Sequence, residues 1–343
     1  MKRHLNTLYV TTQGAYLSGE GEAVLVKLED EILLRVPLHM IGSIVCFGRV
    51  SCSPHLMGAC CERGIAISYL TEYGRFLARV EGPVSGNVLL RRAQYRLADD
   101  GQVSARIAAS FVIGKVANCR TVLLRALRDH PDACGVDRLR EAASSLAGTL
   151  ERLARFPSLE EVRGLEGEAA REYFAVFDHL IVAQKEEFAF RERSRRPPMD
   201  RVNSLLSFIY TLLTHDARSA LEAVGLDAAV GYLHRDRPGR PGLALDLVEE
   251  FRPVLGDRLV LSLINKRQVQ AAGFKKSESG AVLMDDRTRK TVLTAYQERK
   301  QETIVHPFMG EETTVGLLML LQARLFARFM RGELDGYAPF VWR

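Results

Sequence analysis

The chain has 343 residues, 47% of them apolar and 26% charged, a composition that argues against disorder and a length that suits two domains better than one core. Lys and Arg number 47 against 42 Asp and Glu, a net charge of +5, so its distribution along the chain says more than its size. The six cysteines (46, 52, 60, 61, 119 and 134) include no C-x-x-C pair, which argues against a zinc ribbon or a redox pair and for free thiols in a reducing compartment.

The opening "MKRHLNTLYV" lacks the apolar centre of a signal peptide. The longest apolar run, "VGLLMLL" at 315–321, is far short of the roughly 20 residues that span a bilayer. The expectation is a cytoplasmic protein with no membrane partner.

Residues 5–82 alternate short β-branched stretches with turn residues. "TLYV", "AYLSGEGEAVLVKLEDEILLRVPL", "IGSIVCFG", "IAISYLT" and "RFLARVEG" read as strands, and "SPHLMGACCERG" as one helix capped by Ser53 with Pro54 in its first turn. From about residue 87 apolar residues recur at helical spacing. The predicted fold is α+β: a small β-rich domain over 1–86 and a larger all-α domain over 87–343. Basic residues cluster in the second part. Residues 84–130 hold eight (Arg91, Arg92, Arg96, Arg106, Lys115, Arg120, Arg125, Arg128) against three acids, and 258–300 hold ten against four. Such density suits a polyanion, and it equally suits solvated helix faces.

Three stretches of the helical part carry chemistry. In "VRGLEGEAAREYFAVFDHLI" (162–181), Glu166 lies near a predicted helix start among Gly167, Ala169 and Ala170. Small neighbours allow close packing that would carry the carboxylate inward, while a helix-dipole acid is the plainer reading. In "FRERSRRPPMDRVNSLLSFIYTLL" (190–213), an Arg cluster with Arg195 and Arg196 meets a Pro-Pro stop. A helix then starts at Asp200 and presents Asn203, Ser207 and Tyr210. Guanidinium groups there suit bidentate phosphate contacts or simple surface charge. In "HRDRPGRPGLALDLVEEFRP" (234–253), His234 precedes a Gly/Pro turn and a helix that should stop at Pro253. Asp246 shares a face with Glu249 (i, i+3) and with Glu250 (i, i+4). An imidazole with carboxylates forms a mixed N/O donor set suited to Mn2+ or Mg2+. An exposed acidic helix face fits the same twenty residues.

Together these stretches resemble the catalytic integrase of CRISPR spacer acquisition, the Cas-one family, and look similar to its type I-C versions. The resemblance rests on "LEGEAAREYF", "RSRRPPMDRVNSLLSFIY" and "GYLH" followed by "LALDLVEEFRP", in that order. "NVLLRRAQY" and "DDRTRKTVLTAYQERK" also fit, so it covers nearly the whole chain. It implies that Glu166, His234 and Glu249 hold Mg2+ or Mn2+, with Glu249 where the family often has Asp. Asp246 would be a nearby catalytic carboxylate touching the ion through water. Asn203, Tyr210 and Arg252 would line the site, and Arg91, Arg92, Arg195, Arg196 and Lys290 are candidate contacts to double-stranded DNA. Glu250, without a role, is expected to face solvent. The implied activity joins the 3′-hydroxyl of captured DNA to a CRISPR repeat. The implied partners are a second copy of the chain, paired through the strand domain, and a dimer of the small companion Cas-two protein. A general metal-dependent DNase or resolvase, or a non-catalytic DNA-bridging scaffold, is the alternative.

Overall fold

The computed structural model describes residues 6–82, 88–132, 134–155, 157–195, 197–234 and 236–342. The chain divides into two compact units. The first joins residues 1–86 with 293–303 and 314–317, and the second holds the remainder.

In the first unit the strands are β1 (Asn6–Val10), β2 (Tyr16–Glu20), β3 (Ala23–Leu28), β4 (Glu31–Pro37), β5 (Ile41–Phe47), β6 (Ser51–Cys52), β7 (Ala66–Leu70) and β8 (Phe76–Val80), with helix α1 (Pro54–Glu62) between β6 and β7. They form two four-stranded sheets, β1-β5-β7-β8 and β4-β3-β2-β6. Gly21, at φ +57°, makes the tight turn between β2 and β3, a backbone region that disfavours other residues. Val10, Leu17, Val24, Val26, Ile44, Cys46, Leu56, Cys60 and Ile67 form the core. The Ser53 hydroxyl accepts from Leu56 N at 3.2 Å and Pro54 opens α1, as the local pattern predicts. All six cysteines are free. Burial pushes the Cys46 and Cys60 thiols up to about 12, so both are protonated and unreactive at neutral pH.

In the second unit the helical spacing that sets in at about residue 87 is divided at Asp100 into α2 (Val88–Asp99) and α3 (Gly101–Asp129), because the Asp100 carboxylate caps Gln102 N and Val103 N. There follow α4 (Val136–Leu153), α5 (Leu159–Ala175), α6 (Arg201–Ala223), α7 (Gly242–Phe251) and α8 (Arg258–Asn265). A short hairpin, β9 (Phe274–Lys276) and β10 (Val282–Met284), precedes α9 (Asp286–Gln301), whose residues from 293 onward belong to the first unit. A second, β11 (Thr303–Val305) and β12 (Glu312–Thr314), leads to α10 (Leu318–Met330). Among the described residues α3 is the one helix long and apolar enough to cross a membrane, but 67% of that stretch is buried within the protein, which makes it a core helix. It packs on α4, α5 and α7. Pro253 does not stop the chain. A π-helical turn, Arg252–Asp257, carries it from α7 into α8, since the wider i→i+5 pattern tolerates the missing proline N–H.

Glu250 does not face solvent. It is fully buried, its carboxylate accepting from Tyr337 Oη (2.6 Å), Phe340 N (2.7 Å) and Gln322 Nε2 (3.0 Å). The C-terminal segment folds back over this face of α7, which helical spacing alone cannot reveal. Gly114 of α3 makes room, since a Cβ there would sit 3.0 Å from both Glu250 Cγ and Pro339 Cβ. Burial outweighs the three donors and pushes the Glu250 carboxyl up to about 8. A carboxyl raised in the folded state contributes stability that is complete below its unfolded value and is lost as pH rises through about 8. Glu250→Gln should therefore flatten the decline of thermal stability between pH 5.5 and 8.5, removing on the order of a few kcal/mol of pH dependence. Parallel wild-type and Glu250→Gln melting curves across that window would contradict it.

Candidate active site

Three helices bring one ion cluster together. Lys115 of α3 ion-pairs with Glu166 of α5 through Oε1, and its Nζ lies 2.8 Å from Oε2 of Glu249 on α7. Lys115 and Glu249 are almost wholly buried, while the Glu166 side chain keeps 26% of its exposure. α5 begins earlier than expected, at Leu159 after a Ser158–Glu161 capping box. Glu166 thus stands two turns into the helix, and its position owes nothing to the helix N-terminus. Arg252 Nη1 donates to Glu249 Oε1 at 2.6 Å. Burial would raise the Glu249 carboxyl, but Arg252 and Lys115 outweigh it and hold it at about 2, so it is ionised at any physiological pH.

His234 closes the cluster. Its Nε2 stands 4.0 Å from Glu249 Oε1, and its Nδ1 is 2.6 Å from Asp246 Oδ1. A carboxylate can only accept here, so Nδ1 carries the proton shared with Asp246 and Nε2 is the nitrogen turned toward the cluster. Asp246 differs from the sequence expectation: it lies behind the imidazole, not beside the carboxylates. Fully buried, it accepts from Tyr232 N (2.6 Å), Leu233 N (3.0 Å) and His234 N (3.0 Å) as well. These four hydrogen bonds fix the loop and the ring and leave no lone pair aimed at an ion. Two glycines let that loop lie on the start of α7. A Cβ on Gly231 would come within 2.8 Å of the Gly242 carbonyl carbon and of His234 O.

Next to the cluster is a pocket lined by Lys115, Cys119, Tyr173, Arg195, Tyr210, Arg252 and Asp257 among others. Tyr210 is buried there, with the guanidinium groups of Arg193 (5.3 Å from the ring centroid) and Arg252 (4.9 Å) over its ring and its hydroxyl donating to Asp257 Oδ1 at 2.5 Å. Gly256 permits this approach, since a Cβ would meet Tyr210 Cε1 at 2.9 Å. Burial pushes the Asp257 carboxyl up to about 6 despite Tyr210 and the arginines. Tyr210 therefore positions cations.

Asn203 is the clearest departure from expectation. It is fully buried, its Oδ1 accepting from Arg193 Nη1 and Ser194 N and its Nδ2 donating to Glu192 O and Asp200 Oδ2. With every polar atom engaged in holding residues 192–194, it has no capacity left for DNA. Arg91 is half-buried and donates to Gly225 O, whereas Arg92, Arg195 and Lys290 are exposed. Arg196 lies outside the described residues. Sequence reading missed Lys115 as a site residue, grouping it with surface bases. The signal was available: Phe111, Val112, Val116 and Cys119 at helical spacing put position 115 on the buried stripe of α3.

The donor chemistry fits a hard divalent cation: two carboxyl groups and an imidazole oriented by a carboxylate behind it. Glu249 Oε2 supports the fit. It is buried and, although near Lys115 Nζ, receives no properly directed hydrogen bond. As the side chains stand, no three His, Cys, Asp or Glu among the described residues enclose an ion, and the Lys115 ammonium is what lies between the two carboxylates.

Residues 8–298 match the protein family described as CRISPR associated protein Cas1. Over 343 residues, all of both chains, the sequence is 60% identical to the CRISPR-associated endonuclease Cas1 1 of Chlorobaculum tepidum. Among solved structures, a casposase bound to integration product superimposes with a TM-score of 0.82 at 21% identity, over 99% of this chain and 94% of that one. A Cas6-RT-Cas1–Cas2 complex gives 0.83 at 22% identity, over 100% of this chain and 36% of that one. At such identities these structural likenesses concern the fold.

Proposed function

The chain belongs to the CRISPR-associated Cas1 family, and on that premise we propose that it is a metal-dependent DNA endonuclease and integrase that joins the 3′-hydroxyl ends of captured DNA to a CRISPR repeat. The observation that carries the chemistry is the convergence of Glu166, Glu249 and His234 from α5, α7 and the loop before α7 onto one cluster. These three side chains would hold Mg2+ or Mn2+. Bound there, the ion supplies Lewis-acid polarisation and charge compensation.

In the joining reaction the attacking 3′-oxygen forms a bond to phosphorus and loses its proton, while the bond to the outgoing 3′-oxygen breaks and that oxygen gains one. The chain's own groups serve these demands. Arg252, anchored by Glu249 and backed by the Tyr210 ring, offers positive charge where the phosphorane builds up negative charge. Asp246 acts through His234, holding its ring and tautomer. Arg91, Arg92, Arg195 and Lys290 are proposed phosphate contacts.

A homodimer, a companion Cas2 dimer and a cytoplasmic location complete the reading. The first is supported by edge strand β4, where Ile32, Leu33 and Leu34 are exposed, since an apolar edge invites pairing. The second is supported by the Cas1–Cas2 complex to which the fold is similar. Incubation of the protein and its companion with a repeat-bearing plasmid and a short duplex tests the activity. Branched joining products that disappear on chelation are expected, whereas nicks without joining, or chelator-resistant joining, overturn the proposal.

A further inference from the structure

Lys115 has a place that neither a surface base nor a structural strut requires. Its ammonium is shared by two carboxylates from different helices, Glu166 and Glu249, and is withdrawn from solvent with only 7% of the side chain exposed. Arg252 already pairs with Glu249 at 2.6 Å, so the group of two acids and two bases is electrically balanced without any ion. Such balance is what a metal-free site needs, because two like charges brought this close and desolvated destabilise the fold unless a cation separates them. A divalent ion would need Glu166 and Glu249 as well, and adding its charge beside an undisplaced ammonium would leave a buried excess of positive charge.

We infer that Lys115 is a resident counter-cation that competes with the divalent ion for Glu166 and Glu249, and that on displacement its ammonium turns into the adjoining pocket to meet a substrate phosphate. The inference rests on the reading of Glu166, Glu249 and His234 as ligands. Two further observations support it. The contact to Glu249 Oε2 is an ion pair at 2.8 Å without a directed hydrogen bond, so it is charge, which another cation can supply, that holds the ammonium there. The pocket that Lys115 lines also presents Arg195 and Arg252, two guanidinium groups suited to phosphate oxygens, with Asp257 on the same lining engaged by the Tyr210 hydroxyl, and the flexible four-carbon stem of a lysine can turn into it. Metal loading and assembly of the phosphate-binding wall become one event.

The test measures Mn2+ binding to the full chain by calorimetry, in wild type, Lys115→Met and Glu249→Gln, without DNA. Glu249→Gln should weaken binding, and Lys115→Met should bind about tenfold more tightly or better, as removal of a competing cation requires. It should also show a larger Mn2+-induced rise in melting temperature while joining DNA poorly. A merely structural lysine would not produce tighter binding. Unchanged or weaker binding by Lys115→Met, with wild-type binding still sensitive to Glu249→Gln, overturns the inference alone. Wild-type binding insensitive to Glu249→Gln overturns the ligand reading and the inference with it. Should Lys115→Met fail to fold, acylation of Lys115 in the wild-type chain decides, followed by mass spectrometry. Several-fold faster labelling in Mn2+ is expected, and unchanged or slower labelling refutes displacement.

Discussion

Glu166→Ala is expected to reduce strand joining roughly a thousandfold or more, as loss of a carboxylate that holds a catalytic ion should, while leaving the protein folded and bound to DNA. The separation of effects follows from the site. Glu166 is partly exposed in the middle of α5, where alanine is the best helix former. Its loss leaves Lys115 still paired with Glu249 at 2.8 Å, so no buried charge is abandoned. DNA affinity should come from arginine and lysine contacts to phosphate elsewhere, so in the variant it should match wild type and fall steeply with added salt in the same way. Gel assays of joining and anisotropy measurements of binding at two salt concentrations read the two effects separately. Joining at the wild-type rate by Glu166→Ala would remove this side chain from the chemistry.

Asp246→Asn is expected to lower activity and metal affinity by about a hundredfold, the scale seen when the partner of a ligating imidazole is lost. The exchange is isosteric, and its effect is on the proton. Oδ1 accepts from both His234 N and His234 Nδ1, and Oδ2 from Tyr232 N and Leu233 N. An amide must turn its NH2 toward one of these pairs. Facing Tyr232 and Leu233 it meets two backbone donors. Facing His234 it meets one, and the imidazole can accommodate it by moving its own proton to Nε2. The nitrogen turned toward Glu249 then has no lone pair to offer. Asp246→Ala is a harsher change: three backbone N–H groups and the ring lose their acceptor in a buried place, at about 1–3 kcal/mol each, a large share of a domain's stability. The asparagine variant is thus the informative one, losing less stability than Asp246→Ala while losing the reaction. Full activity in Asp246→Asn would show that the His234 tautomer is irrelevant.

Much of the local structure was legible because its causes are local. Ser53 with Pro54 announced α1, Asp200 announced α6 by capping Asn203 N at 2.7 Å, and the alternation over residues 5–82 announced strands. Pro253 misled, since a proline forbids a standard helical turn but not the wider π turn found there. Glu166, Glu249 and His234 were singled out through ordered motifs; taken alone, residues 234–253 also fitted an exposed acidic helix face, and Glu166 a helix-dipole acid. Asn203 and Glu250 went wrong for one reason: a polar residue on a helix says nothing of what will cover it. Residues 192–194 cover Asn203, and the C-terminal segment around Tyr337 and Phe340 covers Glu250.

What the sequence determined by itself was the kind of protein: strands then helices, and membership in the Cas1 family. The elements follow from periodicity and capping, which act over a few neighbours, and the family from three ordered motifs. Only the tertiary structure decided which acid serves which purpose. Asp246, Glu249 and Glu250 lie within five consecutive positions of α7, yet one orients His234, one joins the ion cluster and one anchors the C-terminal segment. Successive helical positions point in different directions, and each side chain's electrostatic surroundings come from segments distant in the chain. The same is true of Lys115, whose charge is plain in the sequence but whose meaning appears only where α3 meets α5 and α7.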